Sequence, residues 1–211
     1  MEQVRKGVAT MMGKTHITVG VAVAMAITMP TTPAGLYTAV IGGAVSGVLC
    51  DIECKSEPGM RDALIARVIT AGITIILLLT DWLTNAGIVS SILSQDQSSL
   101  ILGAVVLLIT CFFGRRSNHR TFTHSLLYVL LISFGMFCIY PEFRFPVLAG
   151  GLSHLIIDTF NKKPVPWLYP FFRHGFCLKW CYASKKANTV LMWVGLALDI
   201  VLIGLSVVCI I

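Results

Sequence analysis

The sequence predicts an all-α, polytopic transmembrane bundle of about seven apolar helices, and three observations support this fold class. Hydrophobic residues make up 56% of the 211 residues, and only 12% are charged, compared with about 25% in soluble domains. The apolar residues are gathered into long runs. The loops between those runs alternate between basic and neutral or acidic composition. We therefore expect one integral-membrane domain over residues 1–211.

The apolar runs differ in composition, which predicts where each one lies in the bundle. The first, second and sixth are rich in Gly, Ala and Ser, which let helices approach closely in lipid, and Gly43 and Gly47 have GxxxG spacing. The Leu-, Ile- and Val-rich third, fourth and seventh runs are expected to face lipid. Several runs are shorter than the ~20 residues of a perpendicular span, and full crossing is left open for the first and sixth. The runs cover residues 16–29, 34–50, 63–80, 99–113, 124–140, 145–160 and 189–211.

The charges in the loops predict the orientation. Lys and Arg concentrate in residues 1–15, 51–67, 114–120 and 161–188, whereas the intervening loops are neutral, balanced or acidic. Because basic loops remain in the cytoplasm, we expect seven spans with a cytoplasmic N-terminus. The basic residues do not form one stripe with interleaved aromatics, so the expected partners are membrane lipids rather than nucleic acid.

Two stretches place polar side chains against apolar runs: residues 119–125 (HRTFTHS) and 151–158 (GLSHLIID). His154 and Asp158 are four residues apart, so they share one face of a helix. His154 lies one helical turn deeper than the rest of a set that the predicted topology places at the cytoplasmic ends of the runs. We expect that set to converge: His16, Asp51, Glu53, His119, His124 and Asp158.

Imidazole and carboxylate groups in this number predict a divalent metal site. Zinc is preferred over manganese, with one or two ions, and two ions would suit phosphoester hydrolysis. Glu53 is expected to be a further ligand or the general base, and the guanidinium of Arg120 could clamp a phosphate. The predicted metal ligands are His16, Asp51, His119, His124, His154 and Asp158.

Other interpretations remain open. His16 could be an ordinary interfacial residue, and Asp51 and Glu53 could be solvated loop acids. The alternative function is a non-enzymatic membrane protein that carries or senses a metal ion or proton. A carrier would need polar residues continuing to the opposite face, where Asp81 and Asp199 have no obvious partners. The sequence has no serine-hydrolase elbow, Walker loop or dinucleotide fingerprint.

Several motifs occur in an order that resembles the YdjM-like family of LexA-regulated, inner-membrane metal-dependent hydrolases. The resemblance covers residues 16–170 and implies a multi-pass protein of the bacterial inner membrane, a bound divalent metal, hydrolase activity and expression in the SOS response. The family is distantly similar to all-helical zinc phospholipases C and nucleases, which implies a phospholipid, another phosphoester or a small molecule as substrate. This chain has Cys50-Asp51-Ile52-Glu53 where the family usually has Pro-Asp-x-Asp. The motifs are Thr15-His16, Asp51-x-Glu53, His119-Arg120-x-x-Thr123-His124-Ser125, Gly151-x-x-His154-x-x-x-Asp158 and Tyr169-Pro170.

Overall fold

The computed structural model describes residues 13–53, 60–118, 120–179 and 185–211. Within these ranges the chain forms eight α-helices and no strand, and Val165 and Phe176 make one isolated antiparallel bridge. The all-α prediction is therefore confirmed. The helices are α1 (Gly13–Thr28), α2 (Pro33–Leu49), α3 (Met60–Thr84), α4 (Ile88–Leu93), α5 (Gln97–Arg116), α6 (Leu126–Ile139), α7 (Arg144–Thr159) and α8 (Lys185–Ile210), with 3₁₀ turns at Phe122–His124 and Pro141–Phe143.

Seven of the helices correspond to the seven apolar runs, and the short α4 was not predicted. The first turn of α4 provides the hydrogen-bond partners of Asp81, a residue for which no partner could be identified in the sequence. The Asp81 carboxylate accepts hydrogen bonds from the backbone N–H of Ile88 at 2.9 Å and of Val89 at 2.7 Å. These groups have no partner within the helix, so the buried acid caps α4.

The helices fall into two length classes. Three are long and apolar enough to cross a membrane, over Leu64–Thr84, Gln97–Arg116 and Lys186–Ile210. The helices α1, α2, α6 and α7 contain 16, 17, 14 and 16 residues, so they are about 21–26 Å long at ~1.5 Å per residue. They are thus shorter than the ~30 Å hydrocarbon core of a bilayer.

Glycine residues bring α1, α2 and α7 into close contact. A Cβ atom on Gly20 of α1 would lie 2.5 Å from the Gly43 carbonyl oxygen, and one on Gly47 would lie 2.5 Å from the His16 carbonyl oxygen. A Cβ on Gly42 would lie 2.6 Å from Cβ of Pro146 in α7. The helices α3, α5 and α8 instead expose many large apolar side chains. The structure thus separates a tightly packed inner group from outer helices with exposed apolar faces, and contact of those faces with lipid stays a prediction.

Substituting Gly43 by alanine should destabilise this inner group. The added methyl would lie 2.6 Å from the Gly20 carbonyl oxygen and 2.8 Å from Cα of Val21, and overpacking of this kind costs about 1–3 kcal/mol. The control is Gly204→Ala in α8, where no atom lies within 4 Å and removal of a helical glycine gains about 0.5–1 kcal/mol. Unfolding in mixed detergent micelles measures both, and equal stabilities would contradict the packing described here.

One end of the bundle gathers the starts of α1, α6 and α8 and the ends of α2, α5 and α7. Thr15 in α1 donates to the Asn188 carbonyl of α8 at 3.2 Å, and Arg67 in α3 donates to the Asp51 carbonyl after α2 at 2.7 Å. The basic loops predicted for the cytoplasm join the helices at this end. We refer to it as the basic end.

Candidate metal centre

Four separate parts of the chain deliver the candidate residues to the basic end. His16 lies in the first turn of α1, and Asp51 and Glu53 follow α2 in a hydrogen-bonded turn. Arg120 and His124 precede α6, and His154 and Asp158 lie in the last turns of α7. All are buried except Asp51, whose side chain is 19% exposed. His119, also predicted as a ligand, lies outside the described residues.

The chain before α6 is shaped by local hydrogen bonds that position His124. The Ser125 hydroxyl accepts from the Tyr128 N–H at 3.2 Å and caps α6. Arg120 has φ of 60°, a left-handed conformation that is uncommon for a residue other than glycine. Its backbone N–H donates to Glu53 Oε1 at 3.4 Å. Strained backbone of this kind is often found at functional sites.

Two histidines turn the same ring nitrogen into the cluster. His154 Nδ1 lies 2.9 Å from the Gly47 carbonyl oxygen and His124 Nδ1 lies 3.3 Å from Glu53 Oε1. Because the Gly47 carbonyl can only accept, His154 Nδ1 carries a proton and the Nε2 of its neutral ring presents a lone pair. An ionised Glu53 favours the same tautomer of His124, whose Nδ1 also lies 3.1 Å from the Thr123 hydroxyl. The two Nε2 atoms are 3.4 Å apart. Lone pairs at this distance repel each other unless a cation lies nearby.

Two carboxylates and a third imidazole surround these nitrogens. Asp158 Oδ2 lies 3.2 Å from His124 Nε2, and Asp51 Oδ1 lies 3.6 Å from the same nitrogen. Both carboxylates are 4.0 Å from His154 Nε2. The His16 ring stacks on that of His154, with centroids 3.8 Å apart, and its Nε2 is 3.8 Å from Asp158 Oδ1.

The separations of these donor atoms suit a shared ion. Two ligands bound at about 2.0–2.2 Å to one ion are at most about 4.4 Å apart, and the separations above do not exceed 4.0 Å. Three overlapping groups of three residues can be defined, and within each group the ligand atoms lie within 4.8 Å of one another. A donor set of buried imidazoles and carboxylates can hold a divalent metal ion. The groups are His16, Asp51 and His154; His124, His154 and Asp158; and Asp51, Glu53 and His124.

The electrostatics of His124 also favour a cation in the cluster. The His124 ring is completely buried, yet a carboxylate oxygen lies near each of its nitrogens, Asp158 Oδ2 at 3.2 Å and Glu53 Oε1 at 3.3 Å. The surrounding carboxylates therefore stabilise positive charge at this position. Either a proton or a metal ion can supply that charge.

A surrounding layer of donors fixes Asp158. Arg120 Nη2 lies 2.8 Å from Asp158 Oδ2, and Asn161 Nδ2 donates to Asp158 Oδ1 at 3.0 Å. A second Arg120 nitrogen donates to the Lys163 carbonyl at 2.8 Å. The ion pair of Arg120 with Asp158 was not predicted from the sequence, and neither were the contacts with the carbonyls of Gly47 and Lys163. Because every residue has a backbone carbonyl, its use as an acceptor cannot be predicted from the amino-acid type. The GxxxG spacing predicted only that Gly47 lies at a close helix contact.

Comparison with known proteins gives a family assignment. The sequence profile described as YdjM inner membrane protein matches residues 11–211. No curated protein and no solved structure matches the chain. The match covers nearly all of the chain and confirms the resemblance inferred from the motifs. With its apolar helices and its buried His and Asp cluster, the chain belongs to the YdjM inner membrane protein family.

Proposed function

We propose that this protein is a metal-dependent hydrolase embedded in the bacterial inner membrane, acting on a phospholipid or another phosphoester at the cytoplasmic interface. The basic end would face the cytoplasm, with the N-terminus on that side and several membrane crossings. The observation that carries the proposal is the set of inward-facing donors. It comprises His16, Asp51, His124, His154 and Asp158, which form overlapping groups of three that share His154 and whose donor atoms are close enough to ligate a metal.

These residues would hold zinc, or alternatively manganese, since three imidazoles and two carboxylates suit both ions better than calcium or magnesium. When bound, the ion would supply Lewis acidity for a phosphoryl oxygen and for water. Asp51 has the most exposed side chain of the set, so substrate and water would approach from its side. Glu53 would accept the Nδ1 proton of His124 and would thereby direct the opposite nitrogen inward.

Arg120 would act through Asp158 or on the substrate. Its ion pair with Asp158 fixes that carboxylate, while its Nε has no hydrogen-bond partner among the described residues. A phosphate reaching the cluster could therefore be recognised by Nε without breaking the ion pair. This interpretation retains the predicted role in stabilising phosphate charge and adds a positioning role.

Tight helix packing favours a hydrolase over a carrier. A carrier needs polar groups that continue across the membrane. Beyond the cluster, α1, α2 and α7 contain no further imidazole or carboxylate, as their sequences show. Gly20 and Gly43 bring α1 and α2 into backbone contact on the way to the opposite end.

The lengths of the inner helices favour a lipid substrate. With 16 residues each, α1 and α7 are about 24 Å long, roughly 6 Å shorter than the hydrocarbon core. If the ends of these helices remote from the basic end lie at the outer boundary of that core, the cluster at the basic end is recessed into the cytoplasmic leaflet. That is a suitable depth for reaching the phosphoester of a lipid headgroup.

The proposal is tested by product release from vesicles that contain the purified full-length chain, zinc or manganese, and bacterial phospholipids. Mass spectrometry of the lipids and of the water-soluble products would identify the bond that is cleaved. We expect Asp51→Asn to lower turnover by about 100-fold or more, as loss of a directly acting group does. Asp96→Asn is the matched control, because Asp96 is an exposed helix cap far from the cluster.

Absence of any product with either metal would refute hydrolysis of these lipids. Metal flux across the same vesicles, abolished by Asp158→Asn, would support the carrier instead. The two outcomes are therefore distinguishable in one preparation.

A further inference from the structure

The segment that follows α7 combines aromatic and basic side chains. We call residues 160–179 the aromatic loop. No Asp or Glu occurs between Asp158 and Asp199, so no acid in this part of the sequence offsets its positive charge. Lys163, Arg173 and Lys179 are all exposed.

The aromatic loop also exposes large apolar side chains outside any helix. Phe171 is 79% exposed, and Leu168, Phe172 and Phe176 are each more than half exposed. Isolated exposed apolar residues are common, but several within one short basic segment indicate an interaction surface. Apolar side chains flanked by Lys and Arg are typical of elements that lie in the plane of an anionic membrane surface.

Hydrogen bonds attach the aromatic loop to the elements that carry the candidate metal centre. Trp167 donates through Nε1 to the Thr159 hydroxyl at 2.9 Å, and its carbonyl accepts from the Leu126 N–H at 2.9 Å. Val165 and Phe176 exchange both backbone hydrogen bonds, which closes the loop on itself. Arg120 reaches the Lys163 carbonyl. The exposed side chains are therefore presented on a fixed base beside the candidate ligands.

We propose that the aromatic loop is a binding surface for anionic phospholipids of the leaflet that borders the basic end. Phe171, Phe172 and Phe176 enter the boundary between headgroups and acyl chains. Arg173 and Lys179 pair with headgroup phosphates. The occupant is lipid because the surface joins apolar side chains to an excess of positive charge, which complements anionic headgroups above acyl chains. This inference concerns binding and holds whether or not the centre hydrolyses lipid.

A photo-crosslinker placed on the loop tests the proposal directly. The full-length chain, with benzoylphenylalanine in place of Phe172, is reconstituted in vesicles containing equal amounts of phosphatidylglycerol and phosphatidylcholine. Lipid adducts are then identified by mass spectrometry. We expect the anionic lipid to be favoured about fivefold or more, since each nearby Lys or Arg contributes roughly that factor. The same crosslinker in place of Leu83, which is exposed near the end of α3 remote from the basic end, should show no preference.

Charge-removal variants assign the preference to the loop. Arg173→Gln with Lys179→Gln should abolish the selectivity at position 172. Arg115→Gln with Arg116→Gln removes the same charge from the end of α5 and should leave the selectivity unchanged. High salt should reduce the selectivity of the unmodified loop, because exposed charges are screened.

Several outcomes would overturn the proposal. These are equal labelling of both lipids at position 172, equal effects of the two charge variants, or adducts formed mainly with a second copy of the chain. If a charge variant fails to fold, the ratio of phosphatidylglycerol to phosphatidylcholine adducts at position 172, measured with all Lys and Arg residues present, and its salt dependence still decide the question. Metal content measured on the same samples separates the two proposals: selectivity without bound metal refutes the metal-dependent hydrolase alone, and a working hydrolase without selectivity refutes this inference alone.

Discussion

Replacing His154 by alanine is expected to remove the metal from the purified protein. The His154 ring is fully buried, its Nε2 lies 3.4 Å from that of His124, and it contributes to two of the three candidate ligand groups. Loss of an outer hydrogen-bonding partner typically weakens metal binding about 10–100-fold, so loss of a ligand itself should cost at least about 100-fold. Elemental analysis of protein purified from zinc- or manganese-supplemented cells measures the change.

The control for this prediction is His174→Ala, which removes an exposed imidazole from the aromatic loop. It should retain the metal content of the wild type. His154→Gln provides a second test, because its amide can still donate to the Gly47 carbonyl while lacking an imidazole nitrogen. A wild-type protein without metal, or a His154→Ala protein that retains it, would refute the proposed centre.

The Glu53→Gln substitution is expected to weaken metal binding about 10–100-fold while the fold is retained. Glu53 Oε1 lies 3.3 Å from His124 Nδ1 and accepts from the backbone of Arg120. A neutral amide holds the imidazole less strongly and reduces its basicity. Competition with a chelator of known affinity measures the loss, and Glu142→Gln is the matched control at an exposed position.

Metal affinity and turnover, measured together on Glu53→Gln, distinguish two roles for Glu53. A positioning residue should affect metal affinity and turnover together. A general base would lower turnover and leave the affinity unchanged. Unchanged affinity in Glu53→Gln would therefore contradict the positioning role that the contact with His124 indicates.

The helices could be predicted from the sequence because lipid imposes a simple requirement on composition. Runs such as 99–113 and 189–211 contain few polar side chains, and they correspond to α5 and α8. The GxxxG spacing of Gly43 and Gly47 predicted the close packing of α2 against its neighbours, because helix backbones can approach closely only where side chains are small. The short α4 escaped prediction because it depends on one tertiary contact, the Asp81 cap.

The candidate centre could be predicted only in part. The i, i+4 spacing of His154 and Asp158 places both on one face, and positive-inside loops bring other candidates to the same end. The partner of each atom does not follow from spacing. Glu53 reaches the Nδ1 side of His124, and Arg120 binds Asp158. These choices depend on turns between helices, where a small change in backbone angle redirects a side chain.

The dispersal of the donors along the chain has a consequence for biogenesis. His16 emerges from the ribosome early, whereas His154 and Asp158 belong to α7 and emerge after six other helices. A nascent polypeptide that has not yet inserted α7 therefore lacks two of the five donors that would ligate the ion. If the proposed centre binds a metal, tight binding would require molecules whose insertion has proceeded through α7. The metal content of a preparation would then report the fraction of chains that have completed assembly.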